Sequence, residues 1–186
     1  MSKIYNLLES LKLTSKETSE LFSKSTRDND NLNVYKDSLS DVIYIKDFFV
    51  GDDEYNKGVY RKKQSTSSVA SLEDIADCDR RIEHFYDLYN EKIICDFGCG
   101  AGSFLLKSID KTKQSYGVEL QEDYRNNLNN MNVECTTNIS EIPDGLDTCF
   151  LFHVLEHLED PIEHLNEIKS KLANKGKVVI EVPHAR

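Results

Sequence analysis

A chain of 186 residues with 39% hydrophobic and 30% charged side chains can bury one main core.

 The formal net charge of −10 argues against nucleic acid as a partner, and no run approaches the roughly 18 apolar residues of a membrane span.

The amino terminus, Met1-Ser2-Lys3-Ile4, has no apolar core of signal-peptide length, which fits a cytoplasmic protein. Ile4, Leu7, Leu8 and Leu11 fall on one helical face, and Thr14-x-x-Glu17 reads as the capping-box start of a second short helix ending near Phe22. Lys24 to Asn33, dense in Ser, Asp and Asn, reads as a loop. Val42-Ile43-Tyr44-Ile45 reads as a short strand, followed by Phe48-Phe49 and the tyrosines Tyr55 and Tyr60. Residues 1–70 are therefore expected to form a helical and irregular extension, and 71–186 the main domain. The short basic runs Arg61-Lys62-Lys63 and Arg80-Arg81 read as solvated faces.

Ser71-Leu72-Glu73-Asp74 starts the next helix, in which Ile75, Cys78, Ile82, Phe85 and Tyr89 repeat at three and four residues. Strand and helix then alternate. Strands are expected near Lys92 to Phe97, Gln114 to Glu119, Val133, Thr148 to Phe152 and Lys177 to Val182. Helices are expected from Ser103, from Gln121, and from Asp160-Pro161, the last with Ile162, Leu165, Ile168 and Leu172 inward and Gly176 as its stop. Such alternation with right-handed crossovers predicts an α/β fold: a Rossmann-like, doubly wound, mostly parallel sheet with helices on both faces.

Five cysteines, Cys78, Cys95, Cys99, Cys135 and Cys149, form no C-x-x-C pair, so neither a disulfide framework nor a zinc ribbon is encoded and a reducing compartment is expected. Cys95 and Cys149 lie in apolar runs and read as small buried hydrophobes, whereas Cys99 lines a glycine loop.

That loop carries the chemistry. In Ile93-Ile94-Cys95-Asp96-Phe97-Gly98-Cys99-Gly100-Ala101-Gly102-Ser103, a buried strand ends in a carboxylate and three alternate glycines lead into a helix. Asp96 would repel a pyrophosphate and attract an ammonium or sulfonium group, and S-adenosylmethionine carries both. The spacing G-x-G-x-G also departs from the G-x-G-x-x-G of dinucleotide folds. Glu119 follows a second apolar run roughly 20 residues after Gly98, where a carboxylate can accept both hydroxyls of a ribose.

These residues resemble the class I S-adenosylmethionine-dependent methyltransferases, from about Arg80 onward. The family's first motif is matched by Asp96-Phe97-Gly98-Cys99-Gly100-Ala101-Gly102, and its acidic second-strand motif by Glu119 with Leu120 beside it. The segment from Asn138 to Pro143 is similar to the one after the third strand, which implies that Asn138 and Ile139 lie against the adenine. Asp147 to Leu158 is similar to the fourth strand and its following motif, with Phe152 beside His153, the position whose backbone meets the cofactor. The resemblance implies transfer of a methyl group from S-adenosylmethionine to a small-molecule or sugar-type acceptor, with His157 or His184 as general base.

The same resemblance implies a lid role for an N-terminal segment, for which Tyr55 and Tyr60 are candidates beside the alternative of core packing. It also implies a further helix and two further strands after the fifth, which the sequence lacks past Arg186, so Val178 to Val182 is expected to be a sheet edge covered by a second copy or another chain, or left open by truncation. His153-x-x-Glu156-His157 spells an inverted zincin motif, but it follows a strand directly. Ubiquinone-biosynthesis and small-RNA 2′-O-methyltransferases carry Glu-x-x-Glu-His there for a divalent ion; His153 replaces the first Glu, and no metal is assigned. Two other readings are a cofactor-binding module without turnover and a nicotinamide-dependent oxidoreductase.

Overall fold

Consecutive apolar residues in Ile93–Cys95 and Cys149–Phe152 demand cover on both faces, and a parallel sheet under helices supplies it. In a computed structural model, which describes residues 3–26, 30–46 and 72–183, these runs become the central strands. The second of two compact units, residues 52–186, contains α2 (Leu72–His84), α3 (Tyr86–Tyr89), β4 (Ile93–Phe97), α4 (Ser103–Ser108), β5 (Gln114–Val118), α5 (Glu122–Asn130), β6 (Glu134–Thr136), β7 (Leu146–Phe152), α6 (Pro161–Lys171) and β8 (Leu172–Glu181). Its five strands are all parallel, in the order β6-β5-β4-β7-β8. This is the Rossmann-like α/β architecture expected from the alternation of elements.

Period-two alternation divides the strand residues between two cores. Cys95, Phe97, Tyr116, Val118, Cys149 and Leu151 pack with Ile139, Ile142 and Ile168 of α6. On the other face Ile94 and Phe150 pack with Cys78 of α2, Tyr89 of α3, Phe104 and Leu105 of α4, and Leu128 of α5. The Phe104 ring lies 4.9 Å from Phe150 and 5.1 Å from Phe152. Each fully buried side chain of this size contributes about 1.5–3 kcal/mol, so the two cores hold the sheet, and with it the ends of β4, β5 and β7, in place.

Two expected helix ends are corrected. The helix expected to run to Gly176 ends at Lys171, because Leu172 is extended and pairs with Leu146 while the Lys171 carbonyl accepts from Gly145 N at 2.8 Å. Gly176 lies within β8 at a break in register, where a Cβ would stand 2.7 Å from the Leu146 carbonyl oxygen. The helix before β4 divides at Phe85 into α2 and α3.

The first unit, residues 1–51, contains α1 (Lys3–Ser10) and an antiparallel sheet of β1 (Ser19–Ser23), β2 (Val34–Asp37) and β3 (Ile43–Ile45). The short strand expected near Ile43 is present, but the helix expected from Thr14 to Phe22 is not; its second half is β1. Hydroxyls that would cap a helix are used laterally instead. Thr14 Oγ1 lies 2.8 Å from Tyr44 Oη, Tyr44 Oη donates to Ser19 Oγ at 2.6 Å, and Thr18 donates to Asp37. Among its described residues the extension holds one helix and a three-stranded antiparallel sheet. Among the described residues no helix is long and apolar enough to cross a membrane.

Candidate cofactor site

The strand order reverses at β4, and doubly wound sheets bind ligands where that happens, outside the carboxyl ends of the strands. The loop leaving β4 is bent by positive φ at Gly98, Gly100 and Gly102, of 75°, 55° and 73°. It is tied across the end of β5 by Gly98 N and Cys99 N, which donate to the Val118 carbonyl at 2.7 and 3.1 Å. A Cβ on Gly98 would lie 2.5 Å from Val154 Cγ2, and one on Gly102 would lie 2.3 Å from Leu128 Cδ2. The glycines therefore serve both the turn and the close approach of neighbouring side chains. Val154 against Gly98 also sets the segment His153–His157 beside the loop.

Two acids flank this loop. Glu119, nearly buried, accepts Gly100 N on Oε2 and Gln121 N on Oε1, each at 2.8 Å, so one carboxylate orients both the loop and the start of α5. Its second lone pairs remain for a diol. Asp96 is 4% exposed and no hydrogen bond reaches its carboxylate among the described residues. Burial pushes its carboxyl up to about 7, with the Arg81 charge pulling against that shift and the Glu119 charge adding to it. A buried carboxylate is stabilised by a cationic ligand, and a dianionic pyrophosphate beside it is disfavoured. The residues present thus fit a cationic nucleoside such as S-adenosylmethionine.

Sequence reading missed one part of the neighbourhood. Arg80 and Arg81, expected on a solvated face, both bind Glu181 at the end of β8: Arg80 Nη2 donates to Oε2 at 2.7 Å, and Arg81 donates to Oε1 from Nε at 2.9 Å and Nη2 at 2.6 Å. Both also pair with Asp77, and the Arg81 guanidinium lies over the Phe152 ring, 4.5 Å from its centroid. Burial pushes Glu181 up, but the hydrogen bonds from Arg80 and Arg81 outweigh it and hold the carboxyl below its ordinary value. The one sequence signal was the i,i+4 spacing of Asp77 and Arg81.

The remaining expected residues divide by environment. Phe97 is buried in the first core and Phe152 half-buried against Phe150, with ring centroids 5.3 Å apart. Leu120 is exposed. Asn138 caps a 3₁₀ turn, its side chain accepting from Ser140 N at 2.8 Å, and Ile139 is buried in the core. His153 stands at positive φ, with Nε2 3.4 Å from Glu181 Oε1 and Nδ1 3.7 Å from Glu156 Oε1. His157 ends a 3₁₀ turn, Leu155–His157, with Nε2 3.9 Å from Glu156 Oε1. The H-x-x-E-H motif therefore spans a strand end and a short turn, not the single helix face an inverted zincin needs. Asp77, His153 and Glu181 each bring a ligand atom within 4.8 Å of the others, but guanidinium groups occupy both carboxylates. His184, Phe48, Phe49, Tyr55 and Tyr60 lie outside the described residues.

Comparison with known proteins agrees with this geometry. The family profile of a methyltransferase domain matches residues 71–186. A SAM-dependent methyltransferase from Archaeoglobus fulgidus is 25% identical, with a TM-score of 0.52, over 60% of this chain and 53% of that one. Phosphoethanolamine N-methyltransferase 1 of Haemonchus contortus is 15% identical over 72% of this chain and 32% of that one, with a TM-score of 0.57. Magnesium protoporphyrin IX methyltransferase of Synechocystis PCC 6803, with bound SAM, is 17% identical over 64% and 69%, with a TM-score of 0.50. The chain thus spans about half the length of the Archaeoglobus protein. It has the fold of the class I S-adenosylmethionine-dependent methyltransferases. The chain belongs to the methyltransferase-domain family.

Proposed function

We propose that the protein transfers a methyl group from S-adenosylmethionine to a small-molecule or sugar-type acceptor. The observation that carries this reading is the Asp96 carboxylate, buried at the end of β4, beside a Glu119 already oriented by Gly100 and Gln121. Asp96 neutralises the ligand's cationic end and Glu119 accepts its ribose hydroxyls. Gly98, Cys99, Gly100 and Gly102 let the loop backbone approach it, Leu120, Asn138 and Ile139 border the adenine, and Phe97, Phe152 and His153 border its sulfonium end. When bound, S-adenosylmethionine supplies an electrophilic methyl carbon.

The chain's own contribution is orientation and, for an oxygen or nitrogen acceptor, removal of a proton. His157, exposed on the turn beside the glycine loop with Glu156 at hand, serves as the base; His184 is the second candidate. Product formation from labelled S-adenosylmethionine with a panel of hydroxyl and amine acceptors tests this. Cofactor binding without product from any acceptor, in wild type as in His157→Ala, would support the alternative of a binding module without turnover. The uncovered apolar positions Ile180 and Val182, both about half exposed, favour a second copy or another chain against β8.

A further inference from the structure

Cys99 in the glycine loop and Cys135 on β6 lie on opposite sides of β5, yet their sulfurs approach to 3.8 Å. They meet over Gly117 of β5, on the sheet face that carries the second core. Gly117 faces both, and a Cβ there would lie 2.9 Å from Cys135 Sγ and 3.0 Å from Cys99 Sγ, so any other residue would part them. A disulfide needs sulfurs about 2.05 Å apart, a closure of less than 2 Å. Of the five thiols Cys99 alone is not buried, which gives a small oxidant access to this pair and not to the fully buried Cys95 and Cys149.

We propose that Cys99 and Cys135 are a redox modification site, forming a reversible disulfide that draws the glycine loop away from its cofactor-binding position. The oxidant class that fits a nearly enclosed pair is a peroxide. One sulfur, as thiolate, attacks a peroxide oxygen and expels hydroxide, which takes up a proton to become water. The neighbouring thiol then attacks the resulting sulfenic sulfur, and its proton leaves with the hydroxyl as a second water. Two thiols lose two electrons and two protons in all, and the peroxide is reduced to two waters. The hydrogen bond from the Cys99 thiol holds the Cys135 thiol below its ordinary value, so Cys135 gives up its proton the more readily of the two.

The loop is the part that moves. Cys135 is fixed by the Asn129 side chain, which accepts from its N–H and donates to its carbonyl, each at 3.0 Å, and by its pairing with Gly117. Cys99 sits between two glycines at positive φ. Shifting it toward β6 displaces Gly100 N from Glu119 Oε2, now 2.8 Å away. This consequence rests on the cofactor reading; formation of the bond does not.

The test treats the full chain with hydrogen peroxide, alkylates the remaining thiols, maps the peptides without reduction, and measures S-adenosylmethionine affinity by calorimetry before oxidation, after it, and after dithiothreitol. The expected result is a link between the Cys99 and Cys135 peptides and an affinity about fivefold weaker, the equivalent of one hydrogen bond, restored by dithiothreitol. Cys135→Ser should show no peroxide effect on affinity. Recovery of both cysteines alkylated or overoxidised, a dominant Cys95–Cys149 link, or a Cys99–Cys135 link that leaves affinity unchanged overturns the proposal. Reduced protein that binds no S-adenosylmethionine overturns the cofactor reading instead, while the peptide map still decides the disulfide.

Discussion

Glu119 holds Gly100 and Gln121 by their N–H groups, and in the proposed function its other lone pairs accept the ribose hydroxyls. Glu119→Ala should therefore weaken cofactor binding by about 1.5–3 kcal/mol in a calorimetric titration, the scale of a charge-assisted hydrogen bond. A change below a twofold ratio would remove it from the site. His157→Ala should lower turnover at least about tenfold and leave cofactor affinity within twofold, since a general base contributes about 10²–10⁴ in rate without holding the cofactor. Equal loss of both would make it structural. At this scale the sequence was readable where structure is local: Asp96, Glu119 and the glycines sit in contiguous runs, and the structure places them together at the ends of β4 and β5. Arg81 was not readable, because its partner Glu181 lies 100 residues away and only the packing of α2 near the end of β8 joins them.

Elements were legible where one signal dominated. Asp160-Pro161 marks the start of α6 because its side chain accepts from Glu163 N at 3.1 Å and proline fits the first turn, and the start falls where expected. The end of α6 was not legible, since Gly176 is a stop signal in isolation and here answers a different demand, the approach of the Leu146 carbonyl. Gly176→Ala should destabilise the second unit by about 1–3 kcal/mol, because backbone rather than a side chain must give way, and a chemical denaturation midpoint measures it. β1 was misread because its hydroxyl partners arrive from β2 and β3, beyond the reach of a local pattern. Asp37 there accepts from Thr18, Ser40 and Leu39, and the Thr18 hydrogen bond foremost holds its carboxyl well below the ordinary range. Its folded value is depressed, so its contribution is present above the unfolded value near 4 and is lost as pH falls through the folded one. Acid should loosen the first unit, seen as loss of tyrosine circular dichroism below about pH 4, and Asp37→Ala should flatten that loss.

Across the whole molecule, the matched family region and every assigned cofactor residue fall in the second unit, while the first has its own helix and sheet. A chain beginning at residue 71 should bind S-adenosylmethionine within about threefold of the full protein, less than one hydrogen bond. A larger loss would assign the preceding residues to a lid. The central claim is that a buried acid at the end of β4 selects a cationic nucleoside. With the Asp96 carboxyl raised to about 7, a ligand that needs the carboxylate must displace its proton at lower pH. The most direct measurement is S-adenosylmethionine affinity by calorimetry at pH 8 and pH 6 for wild type and Asp96→Asn. Wild type should lose about tenfold between pH 8 and pH 6, and the variant should bind weakly at both with no such slope. Equal affinity of wild type and variant at both pH values would contradict it.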